Sequence, residues 1–171
     1  ACFNSSKPIL FPDITYSFYP VWCSLFQIPY QTIALNEQFE IDIKEYTKEN
    51  GGIILPNPNA PTGIGQTKQS LIQLLDQNQN SIVIIDEAYV DFRAYSAVEL
   101  LKKYQNLLIV QTFSKSRSLA GMRVGMALGN ELLIQTIDAV KNSYNSYTMD
   151  SVAIEVAAAS IADETYFKQI C

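Results

Sequence analysis

Histidine is missing altogether from this chain of 171 residues. Without an imidazole, His-based catalytic triads, His proton shuttles and the common His-containing zinc sites are excluded unless another chain supplies the residue. Cysteine is scarce. Cys2, Cys23 and Cys171 form an odd set with no CxxC spacing, which reads as buried or incidental thiols in a reducing, cytoplasmic compartment, and no metal site is expected. Long apolar runs are lacking too: none reaches the roughly 18 residues that span a bilayer. The first fifteen residues hold one Lys and two Pro instead of a basic stretch followed by an apolar one, so no signal peptide is visible and a membrane is not expected as a partner. Basic charge is in deficit, with 12 Lys and Arg against 17 Asp and Glu and a net charge of −5, which argues against nucleic acid. No GxxxxGK[ST] phosphate loop occurs, and Gly63-Ile64-Gly65 lacks the third glycine of a dinucleotide fingerprint.

What is present suits one globular domain. The chain is 48% hydrophobic and 17% charged, long enough to bury a core without disulfides. Short runs of Ile, Val and Leu alternate with stretches of helical period, the mark of βα units feeding a mostly parallel sheet with helices on both faces, a three-layer αβα architecture. Strands are expected at 8–11, 30–35, 52–55, 82–86, 107–112 and 123–128, and helices at 17–26, 43–48, 68–77, 97–104, 131–142 and 150–162. The run Ser81 to Asp86 (SIVIID) is apolar at consecutive positions, as in a central strand buried on both faces. Pro58, Pro61, Gly63 and Gly65 exclude regular structure from Asn57 to Gly65.

In open α/β sheets ligands sit beyond the carboxyl ends of the strands. The 52–55 strand runs into Asn57-Pro58-Asn59-Ala60-Pro61-Thr62-Gly63, the 82–86 strand ends in Asp86-Glu87-Ala88-Tyr89, and the 107–112 strand delivers Thr112-Phe113-Ser114-Lys115. A lone Asp after a strand usually caps a turn, and a lone Lys is usually solvated. Together they are more informative. Lys115 supplies an amine nucleophile, Asp86 a carboxylate, and Thr112, Ser114, Arg117 and Arg123 the hydroxyls and guanidinium groups that hold a phosphate. Those are the parts that pyridoxal phosphate requires. Glu87 falls on the opposite face of an extended chain from Asp86 and reads as a structural acceptor.

The loop 57–63, the Asp86-Glu87-Ala88-Tyr89 set, and Ser114-Lys115 followed eight residues later by Arg123 within Ala120-Gly121-Met122-Arg123-Val124-Gly125 resemble the fold-type I pyridoxal phosphate aminotransferases. Thr15-Tyr16-Ser17-Phe18-Tyr19 is similar to the branch of that family acting on histidinol phosphate. The resemblance implies that Lys115 is the Schiff-base lysine and proton carrier, that Asp86 pairs with the pyridinium nitrogen, and that Tyr89 hydrogen-bonds the ring's phenolic oxygen. It further implies that Tyr16 stacks on the ring and that Thr112, Ser114 and Arg123 bind the phosphate. One departure stands out. The family commonly has Asn immediately before Pro-Thr-Gly, where this chain has Ala60; either Asn59 takes that contact through a local shift of the loop, or Tyr89 makes it alone.

The resemblance implies that residues 1–171 form a single partial domain, the central part of the cofactor-binding large domain, with an N-terminal arm and a C-terminal small domain lying outside it. The implied reaction converts L-histidinol phosphate and 2-oxoglutarate to imidazole acetol phosphate and L-glutamate, in histidine biosynthesis. Its partners are a small-molecule amino donor and a 2-oxo acid, and the full-length protein is expected to be a cytoplasmic homodimer. The alternatives are a related aminotransferase for aromatic amino acids, a phosphothreonine decarboxylase, or a cofactor-binding module with no catalysis of its own.

Overall fold

The computed structural model describes residues 2–171. Six strands, β1 (Ile9–Pro12), β2 (Tyr30–Ile33), β3 (Gly52–Pro56), β4 (Val83–Asp86), β5 (Leu107–Thr112) and β6 (Gly125–Gly129), form one sheet in the order β2-β1-β3-β4-β5-β6. Every neighbouring pair is parallel except β5 and β6, which run antiparallel with Thr112 opposite Gly125. The helices are α1 (Phe18–Leu25), α2 (Lys68–Gln77), α3 (Glu131–Tyr144), α4 (Ser151–Ala162) and α5 (Glu164–Ile170).

Alternation along the strands divides the interior. Leu10, Ile53, Leu55, Val83, Ile85, Leu107 and Ile109 face the side on which α2 lays Leu71, Leu74 and Leu75. Those three leucines recur at helical spacing, so one face of α2 is apolar while its other face stays wet. Ile9, Phe11 and Ile54 point the opposite way, toward Tyr19 and Cys23 of α1. Phe113 and Val124, at the far end of β5 and the start of β6, pack with Ala153 and Ala157 of α4.

Two expectations are corrected. The segments read as helices at 43–48 and 97–104 are 3-10 turns, Ile43–Thr47 and Ala97–Lys102. Each is too short to offset helix nucleation, and each is entered through a tight side-chain cap, Asp42 accepting from Lys44 N and Ser96 from Val98 N. The strand read as buried on both faces is β4. It is central, with Val83 and Ile85 fully buried, but Ile84 is half-buried. The eight-residue α1 leaves Ile54, Ile84 and Val110 as the floor of an apolar hollow of about 460 Å³. Helix α5 was not expected; the Asp163 carboxylate accepts from Tyr166 N and opens it directly behind α4.

Candidate active site

The parallel strands β3, β4 and β5 all end at one edge of the sheet, and the loops leaving that edge enclose a hollow of about 480 Å³. That volume lies within the roughly 300–1,000 Å³ of small-molecule sites. Asp86, the last residue of β4, and Lys115, just beyond β5, both line it. Tyr16 and Tyr89 add aromatic walls, and Thr112, Ser114 and Arg123 complete the lining at the β5 end. One hollow therefore brings together an acid, an amine, two aromatic rings and the hydroxyls and guanidinium expected to meet there.

Asp86 does more than cap a turn. Its Oδ1 accepts from Ala88 N at 3.1 Å, and its Oδ2 accepts from the Tyr19 hydroxyl at 2.6 Å. Tyr19 is 1% exposed, and burial first, then the Asp86 carboxylate, pushes its phenol far above the usual tyrosine range. The phenol therefore stays protonated and can only donate toward Asp86. Sequence reasoning missed Tyr19 as a site residue. The available signal was its spacing from Tyr16, three positions on at the entry to α1, which places both rings on one side of a helical turn.

The Lys115 ammonium lies over the Tyr89 ring, 4.9 Å from its centroid. Among the described residues it has no carboxylate partner in an ion pair. The next residue, Ser116, is buried, and its hydroxyl bonds the Asp91 carboxylate, tying the Lys115 loop to the loop after β4. Thr112 Oγ1 donates to Ser114 Oγ at 3.0 Å and accepts from Ser114 N at 3.1 Å. Thr112 Oγ1 also reaches Val124 O at 3.4 Å, and these contacts make Thr112 the orienting neighbour of Ser114 beside the hollow. Arg123 sits in a left-handed conformation, φ 56°, with one N–H on Ala120 O at 2.8 Å, leaving the rest of the guanidinium fork for an anion.

Two residues lie elsewhere. Asn59 does not line the hollow: it is 1% exposed, its Oδ1 accepts from Thr15 Oγ1 at 2.9 Å and its Nδ2 donates to Ile14 O at 3.0 Å. Its amide is committed to the segment before α1, and Ala60 faces the hollow with a methyl group instead. Arg117 is neither solvated nor at the hollow. It donates to Ser160 O at 2.8 Å and lies 3.8 Å from the centroid of the Phe167 ring, pinning α4 and α5. Glu87, buried on the other face of the chain from Asp86, accepts from Ala97 N, Ser96 Oγ and Gln111 Nε2 and so fastens the 97–102 turn to β4 and β5.

The donor set fits a flat aromatic ligand carrying an anion. Ser114 and Arg123 supply donors for the anion at one end, the Asp86 carboxylate offers an acceptor for a protonated ring atom, and the Lys115 amine is free to react. Among the described residues no cluster of His, Cys, Asp or Glu could hold a metal ion, and no helix is long and apolar enough to cross a membrane.

Comparison with known proteins agrees with that chemistry. Histidinol-phosphate aminotransferase 1 of Hydrogenovibrio crunogenus is 56% identical over 168 residues, 98% of this chain and 47% of the relative. The histidinol-phosphate aminotransferase of Lactococcus lactis subsp. cremoris (strain MG1363) is 53% identical over 167 residues, 98% of this chain and 47% of the relative. The chain spans about half the length of the curated relatives it matches. Among solved structures, the histidinol-phosphate aminotransferase of Clostridium acetobutylicum superposes with a TM-score of 0.88 at 24% identity, covering 96% of this chain and 51% of that one. The Sinorhizobium meliloti histidinol-phosphate aminotransferase, solved in complex with pyridoxal-5'-phosphate, gives 0.86 at 22% identity, covering 96% and 46%. At those identities the likeness establishes the fold. The sequence pattern described as aminotransferase class I and II matches residues 1–169, and this chain belongs to that family.

Proposed function

We propose that this chain is the cofactor-holding part of a pyridoxal phosphate-dependent aminotransferase that exchanges an amino group between L-histidinol phosphate and 2-oxoglutarate, yielding imidazole acetol phosphate and L-glutamate. The observation that carries the reading is the single hollow shared by Asp86 and Lys115. The identity above 50% to histidinol-phosphate aminotransferases supports the substrate. When bound, pyridoxal phosphate supplies an aldehyde that carries the amino group and a ring that withdraws electrons from the substrate's α carbon.

The chain's own residues do the rest. The Lys115 amine holds the aldehyde end and, once displaced by the incoming substrate amine, carries a proton at Nζ to and from the α carbon. The Asp86 carboxylate keeps the ring nitrogen protonated. Tyr16 covers a ring face, and Tyr89 donates to the phenolic oxygen unaided, since Asn59 is turned away and Ala60 has no donor. Ser114 and Arg123 hold the phosphate, with Thr112 aiming the serine hydroxyl.

The test is reductive trapping. Borohydride treatment of the full-length protein with pyridoxal phosphate should fix the cofactor to the peptide containing Lys115, as read by mass spectrometry, and Lys115→Ala should lose the label together with glutamate formation from histidinol phosphate. A label on another lysine would sink the assignment. The same reading takes the full-length protein to be a cytoplasmic homodimer. It is supported by the three free thiols and by exposed apolar side chains on α3 and α4, among them Leu132, Tyr144 and Ile154. A monomeric mass for the full-length protein by light scattering would remove the dimer.

A further inference from the structure

We propose that Tyr19 is a positioning residue for the reaction: it fixes the Asp86 carboxylate and the Tyr16 ring together, and thereby sets how firmly the site holds a proton on the pyridine nitrogen. The proposal rests on the aminotransferase reading above.

The argument begins with the wall in which Asp86 stands. Asp86, Tyr19 and Trp22 line both the polar hollow at the strand ends and the apolar hollow beneath α1, so the three form the partition between them. On the apolar side Asp86 is the lone charged residue of the lining, facing Ile54, Ile84, Val110 and Cys23. Asp86 is half-buried and Ala88 N already serves its Oδ1, but the apolar lining offers its Oδ2 no donor of its own, and a partly desolvated carboxylate oxygen without one is costly. The Tyr19 hydroxyl meets that need at 2.6 Å, the length of a charge-assisted bond between oxygen atoms.

Tyr19 itself has little freedom to move. Its ring meets Phe11 edge-on at 5.7 Å, Tyr16 edge-on at 5.7 Å and Trp22 at 6.0 Å. Phe11 is a core residue of β1, so the hydroxyl is referenced to the sheet rather than to a mobile loop. The Tyr16 contact adds a second role. Tyr16 is 46% exposed and is steadied by Tyr19, Phe18 and Trp22, so one buried phenol touches both the acid that would meet the ring nitrogen and the aromatic that would cover the ring. Removing the hydroxyl alone leaves this packing intact and frees one carboxylate oxygen to turn or to recruit water. Less negative charge then reaches the ring nitrogen.

The experiment uses the full-length holoenzyme carrying cofactor labelled at the ring nitrogen, with Tyr19→Phe and Asp86→Asn compared with the parent. For Tyr19→Phe, kcat is expected to fall about tenfold with KM for the amino donor within about twofold, the scale of one lost hydrogen bond to a charged group. The NMR signal of the labelled nitrogen should move toward its unprotonated position, a change that mere loosening of the core would not produce. Asp86→Asn should move the signal further. Parental signal and kcat in Tyr19→Phe, alongside a displaced signal in Asp86→Asn, would overturn the role of Tyr19 and spare the aminotransferase reading. An unmoved signal in Asp86→Asn would overturn both. Should Tyr19→Phe fail to fold, fluorotyrosine placed at position 19 keeps the shape and strengthens the donor: a graded shift of the signal supports the proposal, and none overturns it.

Discussion

Asn59 spends its side-chain amide on the segment before α1, accepting from Thr15 and donating to Ile14 O. It therefore holds the strand-end loop against the stretch that carries Tyr16, and its contribution is to stability first. Asn59→Ala removes both bonds in a buried setting and should lower unfolding free energy by about 1–3 kcal/mol, read from denaturant midpoints at constant slope. Asn59→Asp, which sets a buried acceptor against Ile14 O in place of the donor, should lose at least as much. Lys115 and Asp86 were legible in the sequence because each closes a run of strand residues, and a strand end is where an α/β sheet presents its chemistry. Tyr19 was legible only as a neighbour of Tyr16; its bond to Asp86 was not, because that partner lies 67 positions along the chain and only the fold brings them together. Asn59 misled for a related reason: adjacency to Ala60 says nothing about which of two neighbours a Pro-flanked loop turns toward the hollow.

The strands were the most legible elements. Continuous apolar runs such as Val83 to Ile85 admit few other structures once polar turn formers such as Asn78, Asn80 and Ser81 on one side and Asp86 on the other bracket them, and all six were anticipated to within a few positions. Helices with a cap and a full apolar face, such as α2 behind Thr67 and α3 behind Asn130, were equally plain. The 3-10 turns were not, since five or six residues carry too little periodicity to distinguish the tighter winding. The start of β3 exposes a further demand. A Cβ on Gly51 would strike the Lys7 carbonyl oxygen, part of the backbone just ahead of β1, where Gly51 N also donates to Pro8 O at 2.8 Å. Neither chain can yield without disturbing the β1–β3 pairing. Gly51→Ala should therefore cost about 1–3 kcal/mol, measurable as a lowered melting temperature with unchanged secondary-structure signal.

Across the whole molecule, two buried phenols set the alkaline limit. Tyr19 and Tyr46 are both pushed well above the usual tyrosine value, chiefly by burial and then by Asp86 and Asp13 respectively. An unfolded tyrosine gives up its proton near about pH 10, while these two hold theirs in the folded state. Their contribution to stability is thus complete below that pH and is lost as pH rises from there toward their folded values. Denaturant midpoints should fall steadily above about pH 10, and Tyr19→Phe together with Tyr46→Phe should flatten the decline.

The sheet order inserts β1, made first, between β2 and β3, and the hollow draws Tyr16 from the early part of the chain, Asp86 from the middle and Lys115 from the later part. No shorter stretch contains a rudimentary version of it. A nascent polypeptide still leaving the ribosome has no such hollow, so on the reading proposed above vitamin B6 can lodge only after assembly is finished.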